Sequence, residues 1–448
     1  MDRLRISIIL LTLVCMSLLV ANTVLFNFTV ICMEPLDTAG AAGNGTRRFS
    51  AFEEGWIFSI VSIGAIAGTY PAIYTTSALG LRHSLSIFGI ISGIATMLMS
   101  VASSSFYSIM AVRFVQGFSL ALAHLACGAV PVSWGGAKSR GLFISILSVS
   151  YQLGPFMAMW NSGYFCTSPY GWQGVYYLYG FMTLISSTVF FLIYSNSPHT
   201  NRFASKREIA AIDEVQPHLV KKQAIPYTRM VKSRSFWGLV AAAIASCIGY
   251  KVFLLYGPIY VKNVLKFEVH QTGLLAALPY LLSIVSKILS GVYLDRARCM
   301  GQHIRCVSFT AFFQLAMAFS FIALTFISPE MTFIPGALFT LSMVVSGVHH
   351  VGLMNACQII AQQYTHILTS ILAAEISIGG FLLPPVIAFF VPHYSKSEWS
   401  TVFYGIAAIL FLTAIIFVSL TKVKPASWTE SDRKKEDQML EQETSLSA

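Results

Sequence analysis

The chain has 448 residues, of which 55% are hydrophobic and only 11% are charged. Soluble domains carry about a quarter charged residues, so this composition excludes an ordinary soluble protein and predicts one that uses lipid as its solvent. The formal net charge of +10 would suggest nucleic-acid binding in a soluble protein. Here the basic residues lie in loops between apolar stretches, so no nucleic-acid partner is expected.

Apolar stretches divide the chain into two sets of six. A helix needs about 20 mostly apolar residues to cross the roughly 30 Å hydrocarbon core of a bilayer. Twelve stretches meet this requirement, and we number them span 1 to span 12: 6–32, 56–77, 83–103, 107–133, 141–165, 173–194, 236–261, 271–295, 303–328, 331–361, 367–391 and 401–421. They predict an all-α membrane protein with twelve transmembrane helices: a six-helix bundle at 1–194, a cytoplasmic loop at 195–235, a second six-helix bundle at 236–421 and a disordered cytoplasmic tail at 422–448.

The basic residues of the loops predict the orientation. If the amino terminus is cytoplasmic, that side holds 21 of the 29 Lys and Arg residues and the opposite loops hold 5. Because Lys and Arg accumulate in cytoplasmic loops, both termini are predicted to be cytoplasmic. The sequon at Asn44 then falls in the non-cytoplasmic loop after span 1, so Asn44 is predicted to be glycosylated. The basic central loop fits an amphipathic helix on anionic lipid headgroups, although a solvated linker explains its charges equally well.

Eight cysteines show neither metal-ligand nor redox spacing, so they are interpreted chiefly as small packing residues. Cys32 and Cys166 both fall near the non-cytoplasmic side, where a disulfide between them remains an alternative. The sequence contains no G-x-S-x-G elbow, phosphate-binding loop or H-E-x-x-H motif. We therefore expect neither an enzyme nor a bound cofactor or metal.

Two local motifs indicate a carrier. The run RFVQG that begins at Arg113 in span 4 resembles the R-x-x-Q-G element of major facilitator superfamily carriers. The run GVYLDR resembles their G-x-x-x-D-R gating loop, with Gly291, Asp295 and Arg296 at the motif positions. This resemblance implies two bundles related as repeats, with substrate held near the membrane midplane and access alternating as the bundles rock.

A narrower resemblance extends over nearly the whole chain. The runs GWQGVYY from Gly171, LYGPIY from Leu255 and EWSTVFY from Glu398 are similar to blocks of the sialin, vesicular glutamate transporter and sodium-phosphate cotransporter family. That family implies an organic anion as substrate. The cationic positions of its glutamate transporters in spans 1 and 7 are occupied here by Thr23 and Ser246, so glutamate itself is not expected.

Charged side chains inside spans are functional candidates, because a charge in hydrocarbon costs several kcal/mol unless it meets water or a partner. Arg113 in span 4 and Lys251 in span 7 lie on helices that the family fold places around the cavity, and they are predicted to hold the anion together. A structural or proton-linked role for Arg113, and snorkelling or a local acceptor for Lys251, remain alternatives. His124, Asn355 and Tyr364 are further candidates for the substrate site.

Coupling has several candidates. Glu375 in span 11 is the only acid well inside a predicted span, which suits a proton carrier. Lys287 in span 8 lies at the same depth as Glu375, about 12 Å from the cytoplasmic end of its span, so a buried ion pair between them is slightly favoured over proton coupling. His349 and His350 in span 10 are alternative proton carriers, of which at most one can face the cavity squarely.

Taken together, the sequence predicts a secondary active transporter of a small organic anion, with a proton favoured over sodium as the coupling ion. Two alternatives remain: a transporter-like receptor or scaffold that has lost transport, and a sodium-coupled anion or phosphate cotransporter. The expected location is the plasma membrane or a lysosomal or vesicular membrane, and a monomer is the default oligomeric state.

Overall fold

The computed structural model describes residues 3–33, 49–201, 226–297, 300–327 and 334–429. Those residues form helices and short connections without a β-strand, and eleven of the helices are long and apolar enough to cross a membrane. Span 1 is Arg3–Thr29, and a single helix covers spans 2 and 3. Span 4 is Phe106–Trp134, span 5 is Gly136–Ser148 continued by Ser150–Thr167, and span 6 is Gly171–Ile193. Spans 7 to 12 are, in order, Arg234–Asn263, Val269–Arg296, Gln302–Phe326, Ile334–Ala361, Thr365–Phe390 and Lys396–Leu420.

The helix that covers spans 2 and 3, Ala51–Ala102, reverses direction in its middle. Its 52 residues would extend to roughly 78 Å if straight, more than twice the thickness of the hydrocarbon core. Helical geometry is interrupted at Gly80, whose φ of 80° is readily adopted by glycine. The Gln116 amide bonds Thr96 at 3.1 Å, and a Cβ on the adjacent Gly117 would lie 2.7 Å from the Val61 carbonyl carbon. The two arms therefore run side by side along span 4, and the eleven helices make the twelve predicted crossings.

Glycines let the spans of the amino-terminal bundle approach closely, as their helical spacing predicts. A Cβ on Gly64 in span 2 would lie 2.9 Å from the backbone nitrogen of Phe118 in span 4. A Cβ on Gly93 in span 3 would lie 3.0 Å from the carbonyl oxygen of Gly180 in span 6. These contacts bring the helix backbones themselves together.

A disulfide joins the ends of spans 1 and 5. Cys32 and Cys166 are bonded, with their Cα atoms 5.9 Å apart. We call this end of the molecule the disulfide face, and the opposite end, where span 1 begins at Arg3 and span 12 ends at Leu420, the terminal face. Two of the eight cysteines are therefore cross-linked rather than packing residues.

The chain after span 12 folds back onto the carboxy-terminal bundle. Val423 and Trp428 are each 3% exposed, and the Ala426 amide donates to the Ile360 carbonyl at 3.1 Å. The prediction of a disordered tail from 422 is thus wrong for 422–429, because apolar side chains there find a surface to cover. Residues 430–448, most of the central loop and the predicted glycosylation site Asn44 lie outside the described residues.

Candidate substrate site between the two bundles

The two bundles are closed against each other at the disulfide face. The Asn27 amide in span 1 donates to the Leu254 carbonyl in span 7 at 3.1 Å. The Tyr394 hydroxyl, in the loop before span 12, donates to the Glu54 carboxylate at the start of span 2 at 2.5 Å. Among the described residues, every hydrogen bond between the bundles lies between the middle of the spans and this face. Closer to the terminal face, no hydrogen bond between the bundles is recorded among the described residues.

Polar side chains from both bundles meet where this seal ends. The Tyr250 hydroxyl in span 7 donates to the Tyr151 carbonyl in span 5 at 3.1 Å, which links the two halves. We call the set around this contact the central polar cluster, and its members are His124, Tyr151, Gln152, Ser246, Cys247, Tyr250, Lys251, Lys287, His350 and Glu375.

Lys251 places a cation at this interface. It follows Cys247 by four residues on the span 7 helix, so both side chains project from one face of it. That face meets Gly379 and Gly380 in span 11: a Cβ on Gly380 would lie 3.0 Å from Lys251 Nζ. Among the described residues, the ammonium has no hydrogen-bond or ion-pair partner, and the exposed His124 ring across the interface lies close enough to sense its charge. Lys251 is thus available to an anion.

Lys287 supplies a second cation from span 8. Its Nζ lies 2.5 Å from the Gln152 side-chain oxygen when that amide is oriented so that its nitrogen donates to the Ser148 carbonyl. Its stem passes Gly347 in span 10, where a Cβ would lie 3.3 Å from Lys287 Cε. A neutral amide leaves the positive charge of Lys287 uncompensated.

Glu375 does not pair with Lys287, which corrects the slightly favoured prediction of a buried ion pair. The Lys287 ammonium faces Gln152, and Glu375 Oε2 is buried without a hydrogen-bond partner among the described residues. Glu375 lies instead near Cys247, which also senses the charge of Lys251. Equal depth along two helices does not fix the direction of their side chains, and these two point to different neighbours.

The two histidines of span 10 diverge, as the angular step of a helix predicts. His349 is fully buried inside the carboxy-terminal bundle, with Nε2 3.2 Å from Gln314 Oε1. His350 points to the interface, with Nδ1 3.1 Å from Ser246 Oγ, and it interacts electrostatically with Lys287. Only His350 belongs to the central polar cluster.

Arg113 is held inside the amino-terminal bundle. Its three guanidinium nitrogens donate to the carbonyls of Thr23 at 2.5 Å and Ile57 at 3.5 Å and to Asn27 Oδ1 at 3.2 Å. The guanidinium also lies 5.2 Å from the Phe26 ring centroid, and the residue is 1% exposed. The structure thus gives the guanidinium protein partners, which favours the structural alternative.

Two further predicted substrate residues lie outside the cluster. Tyr364 is 4% exposed at the terminal face, where its ring packs 5.7 Å from that of Trp428. Asn355 is half-buried in span 10, five residues beyond His350 towards the terminal face. The structure records no hydrogen bond from the Asn355 side chain to a cluster residue among the described residues.

The predicted gating motif lies in the last turns of span 8, where helix Val269–Arg296 continues through it. Gly291 has open space beside its Cα, and Arg296 is exposed. The side chain of Asp295 lies outside the described residues. The gating role of the three motif residues stays a prediction.

Sequence reasoning overlooked part of the site. It did not single out Gly380, whose missing side chain leaves room for the Lys251 ammonium. It also passed over Glu54, which is 2% exposed although it lies in the first turn of its helix. The paired glycines at 379–380, in the middle of an apolar span, were the one signal that could have indicated a close approach.

Comparison with known proteins gives the family. The model for the Major Facilitator Superfamily matches residues 9–369. Sialin from Ovis aries is 27% identical over 392 residues, which cover 86% of this chain and 78% of sialin. Sodium-dependent phosphate transport protein 1 from Oryctolagus cuniculus is 22% identical over 403 residues, covering 86% of this chain and 84% of that protein.

Solved structures agree on the fold. A bacterial homolog of the human lysosomal transporter Spinster, in an inward-facing and occupied conformation, superposes with a TM-score of 0.69 at 13% identity, covering 94% of this chain and 98% of that chain. A D-xylose-proton symporter gives a TM-score of 0.69 at 16% identity, covering 94% and 99%. With a family model that spans most of its length and a shared two-bundle architecture, the chain belongs to the major facilitator superfamily.

Proposed function

We propose that this protein is a secondary active transporter that moves a small organic anion by alternating access. The observation that carries the proposal is the pair of ammonium groups at the bundle interface, of which Lys251 has no partner among the described residues. A buried cation is costly unless an anion or water compensates it, so an anionic ligand explains why it is there. Similar proteins point the same way, since they include a probable small intestine urate exporter and a sodium-dependent phosphate transport protein.

The contacts around the cluster suit a site that opens and closes. The amide of Gln152 and the backbone of Tyr151 join spans 5, 7 and 8 through single hydrogen bonds. Rocking of one bundle against the other would break these bonds and the Tyr394 to Glu54 contact at the disulfide face, exposing Lys251 to the opposite side. No rearrangement within either bundle is required.

Glu375 is the proposed proton carrier. It is half-buried in span 11, its Oε2 lacks a hydrogen-bond donor among the described residues, and it shares the neighbour Cys247 with Lys251. Substrate and proton would then act on the same group of side chains. Sodium is the less favourable coupling ion, because a metal cation beside two ammonium groups meets like charge and one carboxylate.

The basic loops support a cytoplasmic location for the terminal face. The disulfide suits the opposite compartment, because disulfides persist in oxidising surroundings. The plasma membrane and lysosomal or vesicular membranes both meet that condition. In this orientation the hydrogen bonds at the disulfide face close the bundles on the non-cytoplasmic side, and substrate would reach the anion site from the cytoplasm.

Transport by purified protein in liposomes tests the proposal. Labelled urate, phosphate and small carboxylates are offered with an imposed proton gradient or an imposed sodium gradient. Uptake should require Lys251 and follow the proton gradient, whereas Lys396→Gln, which removes an exposed lysine at the start of span 12, serves as the matched control. Anion binding without uptake under either gradient would indicate a receptor or scaffold instead.

A further inference from the structure

The two lysines of the central polar cluster occupy separate surroundings. Lys251 lies beside Gly380 in span 11 and within electrostatic reach of His124 in span 4. Lys287 lies beside Gln152 in span 5 and Gly347 in span 10. The two groups of neighbours share no residue, so the ammonium groups form two cationic positions rather than one.

The positions differ in depth. Lys287 lies at the level of His350, whose ring reaches Ser246 in span 7 at 3.1 Å. Lys251 follows Ser246 by five residues on the same helix, which corresponds to roughly 7 Å along the axis. An elongated anion with a charged group at each end matches two cationic positions that are offset in this way, with one group for each ammonium.

We infer that the site binds a small dianion with one anionic group at each end, of which dicarboxylates such as glutarate are the simplest class. One carboxylate contacts Lys251 and the other contacts Lys287, displacing or sharing its Gln152 contact. The inference rests on the proposed function, in which Glu375 carries the proton. With Glu375 protonated the cluster holds two positive charges, so the dianion and the proton together leave it neutral.

The charges that surround Glu375 fit this balance. From span 7 it faces Cys247, with Lys251 one turn further on, and no acid among the described residues is recorded in contact with it. A monoanion carried with a proton would leave one ammonium uncompensated between the bundles. A dianion carried with a proton leaves none.

Competition with a matched pair of ligands tests the inference. Full-length protein in liposomes takes up labelled glutarate under a proton gradient, and unlabelled glutarate is compared with its monomethyl ester, which has nearly the same shape and a single negative charge. Glutarate should compete at least tenfold more strongly than the ester. Because Lys251→Met is expected to lose uptake, the variants are compared by the shift in melting temperature that each ligand causes. Lys251→Met and Lys287→Met should each abolish the difference between glutarate and the ester, whereas Lys396→Met should preserve it. Equal competition in the unaltered protein, or loss of preference in only one of the two cluster variants, would overturn the inference.

A binding measurement separates this inference from transport itself. The melting temperature of the purified protein is recorded with glutarate and with the ester, and also without ligand to show that each variant is folded. If Lys287→Met is unfolded, Lys287→Gln replaces it and must show the same loss of preference. Suppose that glutarate raises the melting temperature more than the ester does, that this difference needs both lysines, and that the protein shows no uptake. This result supports the dianion site and contradicts transport. Uptake of monoanions with equal stabilisation by both ligands supports transport and contradicts the dianion site.

Discussion

Arg113→Lys should destabilise the protein without weakening substrate binding. The guanidinium spreads three nitrogens over three acceptors, the Thr23 and Ile57 carbonyls and Asn27 Oδ1. A lysine ammonium on a flexible stem can reach one of these groups well and must abandon the others. The change keeps the charge and removes the fork, so it isolates the geometric contribution of the guanidinium.

The expected loss follows from the number of contacts. A hydrogen bond from a charged donor contributes about 1.5–3 kcal/mol, whereas neutral bonds between membrane helices average about 0.6 kcal/mol. Loss of two of the three contacts should therefore lower the free energy of unfolding by about 3 kcal/mol. Asn27 also bonds Leu254 across the bundle interface at 3.1 Å, so part of the loss should appear at the disulfide face.

Heat-induced unfolding of the purified protein, followed by tryptophan fluorescence, measures this loss, and the KM of the folded fraction measures binding. Lys251→Met is the contrasting variant: it removes a side chain with no recorded partner, so its melting temperature should change little while uptake is lost. An Arg113→Lys protein that is as stable as the parent but has a strongly raised KM would show that the guanidinium contacts substrate, and would refute this reasoning.

Four further outcomes are expected. Glu375→Gln should abolish proton-driven accumulation while preserving substrate exchange. Adding Lys287→Met to this variant should not restore accumulation, because the two residues are not paired, and restored accumulation in the double variant would contradict this. Gly380→Ala should lower transport at least tenfold with near-normal expression, since its methyl group would press on the Ser62 hydroxyl and the Lys251 ammonium, as uptake assays can show. Replacing Cys32 by Ser should reduce stability by about 2–4 kcal/mol, which melting temperatures with and without reductant can check. Asn44→Gln should remove the glycosidase-sensitive mobility shift on gels, and an unchanged shift would contradict the proposed orientation.

Much of the fold could be predicted from the sequence, because hydrocarbon sets strict requirements. Every backbone polar group must be satisfied inside the bilayer, so long apolar runs become helices of a known minimum length. The crossings and the division into two halves follow from that rule. The close approach at Gly64 and Gly93 follows instead from the absence of a side chain at glycine. Gly80, where Ala51–Ala102 reverses, lies in the short segment between the predicted spans 2 and 3.

The same rule identified the unusual residues but not their partners. A charge within an apolar span is visible in the sequence, so Arg113, Lys251, Lys287 and Glu375 all stood out. Their neighbours depend on how each helix is rotated about its own axis and which helix it meets, and both depend on packing across the whole bundle. Helical depth placed Glu375 and Lys287 at one level, yet the rotation of spans 8 and 11 turned one towards Gln152 and the other towards Cys247.

The sequence by itself therefore determined the class of this protein, its helices and the residues that hydrocarbon makes costly, because those properties depend on local composition. Only the tertiary structure decided that Arg113 donates hydrogen bonds to carbonyl and amide oxygens while Lys251 remains available to an anion. It also decided that Cys32 forms a disulfide with Cys166. Each of these outcomes joins residues that are far apart in the chain. Their proximity arises from the packing of complete helices, which no local pattern records.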